Sequence, residues 1–360
     1  MIRRRAFLLG LMLGWAVSAS VGAAVAADFS PALQAVIAAA KKDPTLTISY
    51  GNDTLGGAEG AKLFQAGMNK LFGTNVDVRY APGAAMAQLG NQLITEINTH
   101  QPASTDVYVA AATQEATMVE HKALMEVDWK ALMPDRINDA AIEENGMAVR
   151  IGGGMSGATY NTKLAPFVPE RLTDFLDPRW KGKIATTAYG AGFDGLTANG
   201  VWGPDKMLDY IGKFSGQVGG FIRCGELERI AAGQFAVLAM DCIGGQLDSW
   251  QAKGAPMGRM IPLDGAQVRY YYTSIPKNSA NVAAAKLYVA FIQTAEGQAI
   301  LRKVWAMDSD AYPDSDLGKL VDAIHAKGAT TSRASIAWWM EHPEINTTTD
   351  QLVTILRKQK

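Results

Sequence analysis

Few residues in this chain are of a type that does chemistry, and they are scattered. Cys224 and Cys242 are the only cysteines, and the four histidines, His100, His121, His325 and His342, stand far apart. That leaves little material for a protein-built metal site, so neither a metal nor a cofactor is expected. Gly154-Met155-Ser156-Gly157-Ala158 has part of the strained turn that presents a nucleophilic serine, but it lacks the final glycine. No histidine shares a motif with Ser156, so the natural alternative of an exported serine hydrolase has a nucleophile without an evident base. Gly190-Ala191-Gly192-Phe193-Asp194-Gly195 has the G-x-G-x-x-G spacing. No strand with an acidic ribose contact follows it, so amides at a helix start holding a carboxylate or phosphate are the more natural use. Tyr270-Tyr271-Tyr272 on a strand would place two rings on one face and one on the other.

These residues need elements to position them. Helical spacing over Leu33–Ala40, Ala58–Phe72, Ala85–Asn98 and Gln114–His121 alternates with strand-like runs at Leu46–Tyr50, Val76–Tyr80 and Asp106–Ala110. A βαβαβα order implies a mostly parallel sheet covered on both faces, with ligands beyond the carboxyl ends of its strands. The loops Asn52-Asp53-Thr54 and Ala111-Ala112-Thr113 occupy such ends. Gly152 to Gly157 is a candidate crossover between two lobes, with glycine absorbing backbone rotation. A second αβ unit follows, with strands at Gly182–Thr187 and Phe235–Met240. Strands at Met260–Leu263 and Arg269–Thr273 then return to the first lobe, and a long helix spans Asn281–Thr294. The tail from Ala329 is weakly patterned up to a helix near Gln351–Lys358. Cys224 precedes a helix and Cys242 follows a strand at the same sheet edge, so a disulfide is expected. Closing that loop is worth roughly 3 kcal/mol in the chain-entropy model.

The N-terminus reads as an address. Arg3-Arg4-Arg5 precedes an apolar run from Ala6 to Val17 and then small residues, the order of a secretory signal, here of twin-arginine type. Cleavage is expected after Ala26 or Ala27. The apolar run is too short to span a bilayer. The whole chain of 360 residues has a formal net charge of -1. Removing residues 1–26 takes away three arginines and leaves 31 basic against 35 acidic residues, a net charge of -4. With no basic excess, nucleic acid is not an expected partner.

Tyr160-Asn161-Thr162-Lys163-Leu164 and the stretch Leu172-Thr173-Asp174-Phe175-Leu176-Asp177-Pro178-Arg179-Trp180-Lys181-Gly182-Lys183-Ile184-Ala185 carry a resemblance. Together with Ile275-Pro276-Lys277-Asn278-Ser279-Ala280-Asn281, they resemble the solute-binding proteins of ABC importers in the ferric-iron, thiamine, polyamine and phosphonate group. The resemblance covers about residues 46–301. It implies an α/β, two-lobed type II periplasmic binding protein with a hinge between lobes. Lobe one would comprise residues 27–155 plus 264–360, and lobe two residues 156–263. Iron binders of the group resemble one another in an adjacent tyrosine pair after the strand matching Phe235–Met240. Here that place reads Asp241-Cys242-Ile243, which lacks the phenolates that ferric iron favours.

The function so implied is capture of a small polar organic or phosphorylated solute by domain closure in the periplasm. The other partners would be the permease and ATPase complex in the inner membrane, and the protein is expected to be a monomer and not an enzyme. A ferric-iron carrier is the alternative within the family, and a sensory binding subunit would share the fold. Expected ligand contacts are Asn52, Asp53, Thr54 and Thr113 from lobe one and Ser156 at the crossover. Tyr189, Gly192, Phe193 and Asp241 would come from lobe two, and Tyr271 from near the hinge. Asp53 or Asp241 suits a cationic solute, whereas Arg223 and the helix start after Gly195 suit an anion.

Overall fold

The computed structural model describes residues 29–51, 54–242 and 247–358; the expected export segment lies outside them. Ser30 caps α1 (Pro31–Lys42) by accepting the Leu33 amide, Pro31 suits its first turn, and Leu33, Ile37 and Ala40 form its buried stripe. Next come β1 (Thr45–Tyr50), α2 (Gly57–Phe72), β2 (Asp77–Pro82), α3 (Met86–Asn98), β3 (Tyr108–Ala111) and α4 (Ala112–Glu120). Short α5 (Trp129–Leu132) and β4 (Ile142–Glu143) lead to β5 (Ala148–Met155), the last strand before the crossing. β1 and β2 pair in parallel, and a bridge from Ile48 to Val107 sets β1 parallel to the chain entering β3.

The second lobe holds β6 (Ala158–Asn161), β7 (Ile184–Thr186), α6 (Pro204–Ser215), β8 (Val218–Phe221), α7 (Glu228–Ala231), β9 (Val237–Leu238), α8 (Leu247–Ala252) and β10 (Met257–Met260). Its sheet has the order β10-β6-β9-β7-β8. β7 runs parallel to both of its neighbours, and β6 antiparallel to both of its own. The strand expected over Met260–Leu263 therefore lies earlier in the chain and belongs to lobe two.

The chain returns through β11 (Gln267–Ser274) to α9 (Val282–Ile292), α10 (Ala295–Trp305), α11 (Asp316–Ala326), β12 (Ser332–Ala334), α12 (Ile336–Glu341) and α13 (Glu344–Arg357). β11 pairs antiparallel with β5 on one edge; on the other it pairs parallel with β12 and then antiparallel with β3. Because it re-enters from the opposite lobe, it runs against β3, so the sheet of lobe one is mixed rather than mostly parallel. α9 is almost wholly apolar and buries Leu287, Tyr288 and Phe291 in a core shared with α1 and α2. Burial of each such side chain contributes about 1.5–3 kcal/mol.

The glycines near the crossover do something other than rotate freely. Gly152 to Gly154 lie inside β5, and the chain leaves the strand only at Ser156-Gly157. A Cβ on Gly153 would fall 2.6 Å from the Arg269 carbonyl oxygen, and one on Gly157 would fall 2.2 Å from that of Met260. They are needed for close approach of backbone to backbone.

The tail departs from expectation. The expected lobe one includes residues 264–360, and α11, β12 and α12 do pack there. α13, however, places Leu352 and Leu356 in the core of lobe two with Phe193, Met207 and Phe214. Arg357 donates from Nε to the Ala188 carbonyl at 3.0 Å, and the Asn199 amide donates to Glu344 at 3.0 Å. The chain thus crosses between lobes a third time.

Candidate binding site

On lobe one the site is built at the carboxyl ends of β1 and β3. These strands run parallel, so Gly51, Thr54 and residues 111–113 share one edge of the sheet. Asn52 and Asp53 lie outside the described residues. Thr54 donates its amide to the Gly51 carbonyl at 2.9 Å and is nearly buried. Leu55, which follows, has φ 48°, a left-handed conformation costly for a side chain with a Cβ. The expected loop at Ala111–Thr113 is absent, because β3 passes straight into α4 and Thr113 sits half-buried in the first helical turn. Tyr271 is the register partner of Ala111, which brings it to the same edge, and its ring meets Trp305 at 4.9 Å. Trp305 was not foreseen. It ends α10, where Val304 packs so closely on Gly56 that a Cβ there would lie 2.6 Å away.

On lobe two, Ser156 donates its hydroxyl to the Cys242 carbonyl at 2.7 Å. A Cβ on Gly192 would lie 3.0 Å from the Ser156 Cβ, so these two residues touch. Tyr189 is exposed, and its hydroxyl accepts the Cys224 amide at 3.1 Å. Cys224 and Cys242 are joined by a disulfide with their Cα atoms 5.8 Å apart. Ser156, Tyr189, Gly192 and the half-cystines are therefore linked in one run of contacts, in which Tyr189 is exposed and Ser156 and Gly192 are buried. Met240, with φ 55°, bends the chain into it. Both lobes thus hold a non-glycine residue in a left-handed conformation beside the candidate contacts, and such outliers gather at functional sites.

Two expected contacts are committed elsewhere. Phe193 is fully buried against Phe214 at 5.4 Å and Tyr210 at 6.2 Å, so its ring belongs to the core of lobe two. Asp241 is 2% exposed and all its partners lie within the lobe. It accepts from Thr159 Oγ1 at 2.7 Å, from the Gly157 amide at 3.3 Å and from Arg259 at 3.1 Å. Arg259 also donates to the Met155 carbonyl, which fastens β10 to the crossing. The glycine cluster likewise opens only a four-residue 3-10 turn, Asp194–Thr197. The Ala191 and Phe193 amides are taken by Thr187 and Gly190, so the expected anion cradle at a helix start is not formed.

Asp194 instead joins the lobes. Its carboxylate accepts two bonds from Arg269 of β11, at 2.5 and 3.0 Å. Burial alone would lower the Arg269 pKa, but the charge and hydrogen bond of Asp194, with Tyr271 nearby, hold it above its ordinary value. A cavity of about 250 Å³ opens between the lobes, with Asp248 of α8 on one side, Arg302 and Met307 on the other, and Gly153 to Met155 beside them. Neither this cavity nor a hollow of about 550 Å³ near Trp129 and Lys130 is lined by any of the candidate contacts.

The Ser156 hydroxyl is engaged with a carbonyl, while His325 pairs with Thr331 and His342 with Glu344. Among the described residues, no group of three or more His, Cys, Asp or Glu is placed to share a metal ion. No described helix is long and apolar enough to cross a membrane.

Comparison with known proteins fits this geometry. An uncharacterized protein of Haemophilus influenzae is 27% identical over 201 residues, which span 49% of this chain and 56% of that relative. The substrate-binding protein of an ABC transporter from Agrobacterium tumefaciens superposes with a TM-score of 0.68 at 17% identity, covering 87% of this chain and 94% of its own. Iron-bound HitA from Pseudomonas aeruginosa gives 0.67 at 16%, covering 86% and 99%. AfuA from Actinobacillus pleuropneumoniae, with fructose-6-phosphate bound, gives 0.61 at 17%, covering 86% and 98%. At such identities the likeness establishes the fold, that of the two-lobed periplasmic binding proteins. Residues 61–312 match the model of the bacterial extracellular solute-binding proteins, and with most of its length inside that match the chain belongs to this family.

Proposed function

We propose that the protein is the periplasmic solute-binding component of an ABC importer, exported by a twin-arginine signal over residues 1–26 and acting as a monomer. It captures a small polar organic or phosphorylated solute and hands it to a membrane permease and its ATPase. The observation that carries this reading is the division of the candidate contacts between two lobes. Thr54, Thr113, Tyr271 and Trp305 lie on one lobe, Tyr189, Gly192 and Ser156 on the other, and the chain crosses at Ser156-Gly157. A solute that touches both sets binds the closed form more tightly than the open one, and this difference drives closure.

Arg223 suits an anionic group on the solute. Asp241 is neutralised by Arg259, whereas Arg223, next to the disulfide, is exposed. Iron is less favoured, because Asp241 is fully engaged and Cys242 is bonded to Cys224. Neither offers the anionic oxygens that a ferric ion takes.

The test is a thermal-shift series on the mature protein, unfolded and refolded first to strip any co-purified solute. Fructose 6-phosphate, simple phosphonates, thiamine, small carboxylates, spermidine and ferric citrate are compared. A true solute at 100 times its Kd stabilises by about 2.7 kcal/mol. Stabilisation by a phosphorylated or carboxylated compound is expected, together with a smaller radius of gyration in solution scattering. A shift with ferric citrate alone, or none with any compound, would overturn the reading.

A further inference from the structure

The disulfide occupies a particular place in the topology of lobe two. Cys224 follows β8 and Cys242 follows β9, yet these strands are not neighbours, because β7 lies between them and pairs with both. The bond therefore reaches across the carboxyl end of β7. The loop leaving that end, residues 187–192, carries Tyr189 and Gly192. The half-cystines also hold the site directly: the Cys224 amide donates to the Tyr189 hydroxyl, and the Cys242 carbonyl accepts from Ser156. Both are only partly buried, within reach of a small thiol.

From this geometry, and resting on the solute-binding reading above, we propose that the Cys224–Cys242 bond is a redox-responsive clasp that positions the lobe-two half of the binding site. Closed, it holds Tyr189, Ser156 and the 187–192 loop together. A dithiol reductant opens it in two exchange steps. One thiolate attacks a cystine sulfur and releases the other as a thiolate. The second thiol of the reductant then displaces the mixed disulfide. Two electrons and two protons pass to the protein, giving two cysteine thiols, and the reductant leaves as its own disulfide. The core of the lobe survives, because its cluster around Phe175, Trp180, Phe193 and Phe214 includes neither cysteine. A chain folded in a reducing compartment accordingly carries an unassembled site until it reaches an oxidising one.

The experiment is hydrogen–deuterium exchange on the mature protein, oxidised and after dithiothreitol, with thiol counting to verify two free cysteines. The Cys224→Ser/Cys242→Ser double variant gives an independent open form. Peptides covering 187–192, 222–226 and 240–242 should exchange at least tenfold faster in both open forms, by a larger factor than α6, with the strands of lobe one unchanged. Reoxidation by oxidised glutathione should restore protection in the reduced wild type but not in the variant. Unchanged exchange in those three segments would overturn the proposal. So would an equal acceleration in α6, which would make the bond a general staple of the lobe. No solute enters this measurement, so an incorrect solute class cannot be mistaken for failure of the clasp.

Discussion

Replacing Asp241 by alanine strips Arg259 of its partner in a place where water cannot fully compensate. The Arg259 side chain is 14% exposed and that of Asp241 3%. Breaking a buried ion pair from one side costs about 3–5 kcal/mol, because the remaining charge stays desolvated. The Thr159 hydroxyl and the Gly157 amide lose their acceptor too, but their shares overlap with this figure and are not added to it. At an unfolding entropy of about 2.1 cal/mol/K per residue, a mature chain of 334 residues shifts its Tm by about 1.4 °C per kcal/mol, so a drop of at least about 4 °C is expected. Asp241→Asn keeps the shape and the bond from Thr159 and should fall between wild type and alanine. Pairing Asp241→Ala with Arg259→Met should cost at least about 1 kcal/mol less than the two single changes summed. Differential scanning calorimetry of wild type and these four variants without added solute provides the measurement. A wild-type Tm for Asp241→Ala would refute the reasoning and return Asp241 to the list of solute contacts.

Two further perturbations test other parts of the structure. Leu352→Ala removes a fully buried side chain where α13 meets lobe two, and should destabilise by about 2–5 kcal/mol, read as a lower urea midpoint; no change would mean that α13 is not anchored there. Glu115 is completely buried, and this burial raises its pKa well above the ordinary 4.5, with the Ser274 hydrogen bond opposing and Glu143 adding to the rise. Its contribution is complete below the unfolded value and is lost as pH climbs from about 4.5 toward the raised folded value. In that window wild type should lose up to about 1.4 kcal/mol per pH unit relative to Glu115→Gln. Urea midpoints at pH 4 and 8 should diverge in favour of the glutamine variant, and parallel curves would contradict the assignment.

Much of the architecture was legible because it rests on local patterns. The stripe of Leu33, Ile37 and Ala40, the apolar length of α9 and the glycines at backbone contacts all leave marks in the sequence. What escaped was set by partners far along the chain. Asp241 read as a cleft acid because its cation lies 18 residues later on an edge strand. Phe193, among glycines, looked like a loop aromatic, although its neighbours Tyr210 and Phe214 lie on α6. Trp305 gave no signal, since its importance comes from the contact its ring at the end of α10 makes with Tyr271 of β11. In α13 the spacing of Ile345, Thr348, Leu352 and Leu356 was present, but threonines diluted it, and nothing in one helix says which lobe it will cover.

The third crossing changes what counts as a separable piece of this molecule. A fragment spanning residues 156–263 would contain every strand of the second sheet and still expose the apolar surface that Leu352 and Leu356 cover. To be soluble by itself, such a fragment would need residues 344–357 grafted back. The second lobe is thus assembled from two stretches of chain separated by 80 residues, and nascent lobe two stays incomplete until the last helix has been synthesised.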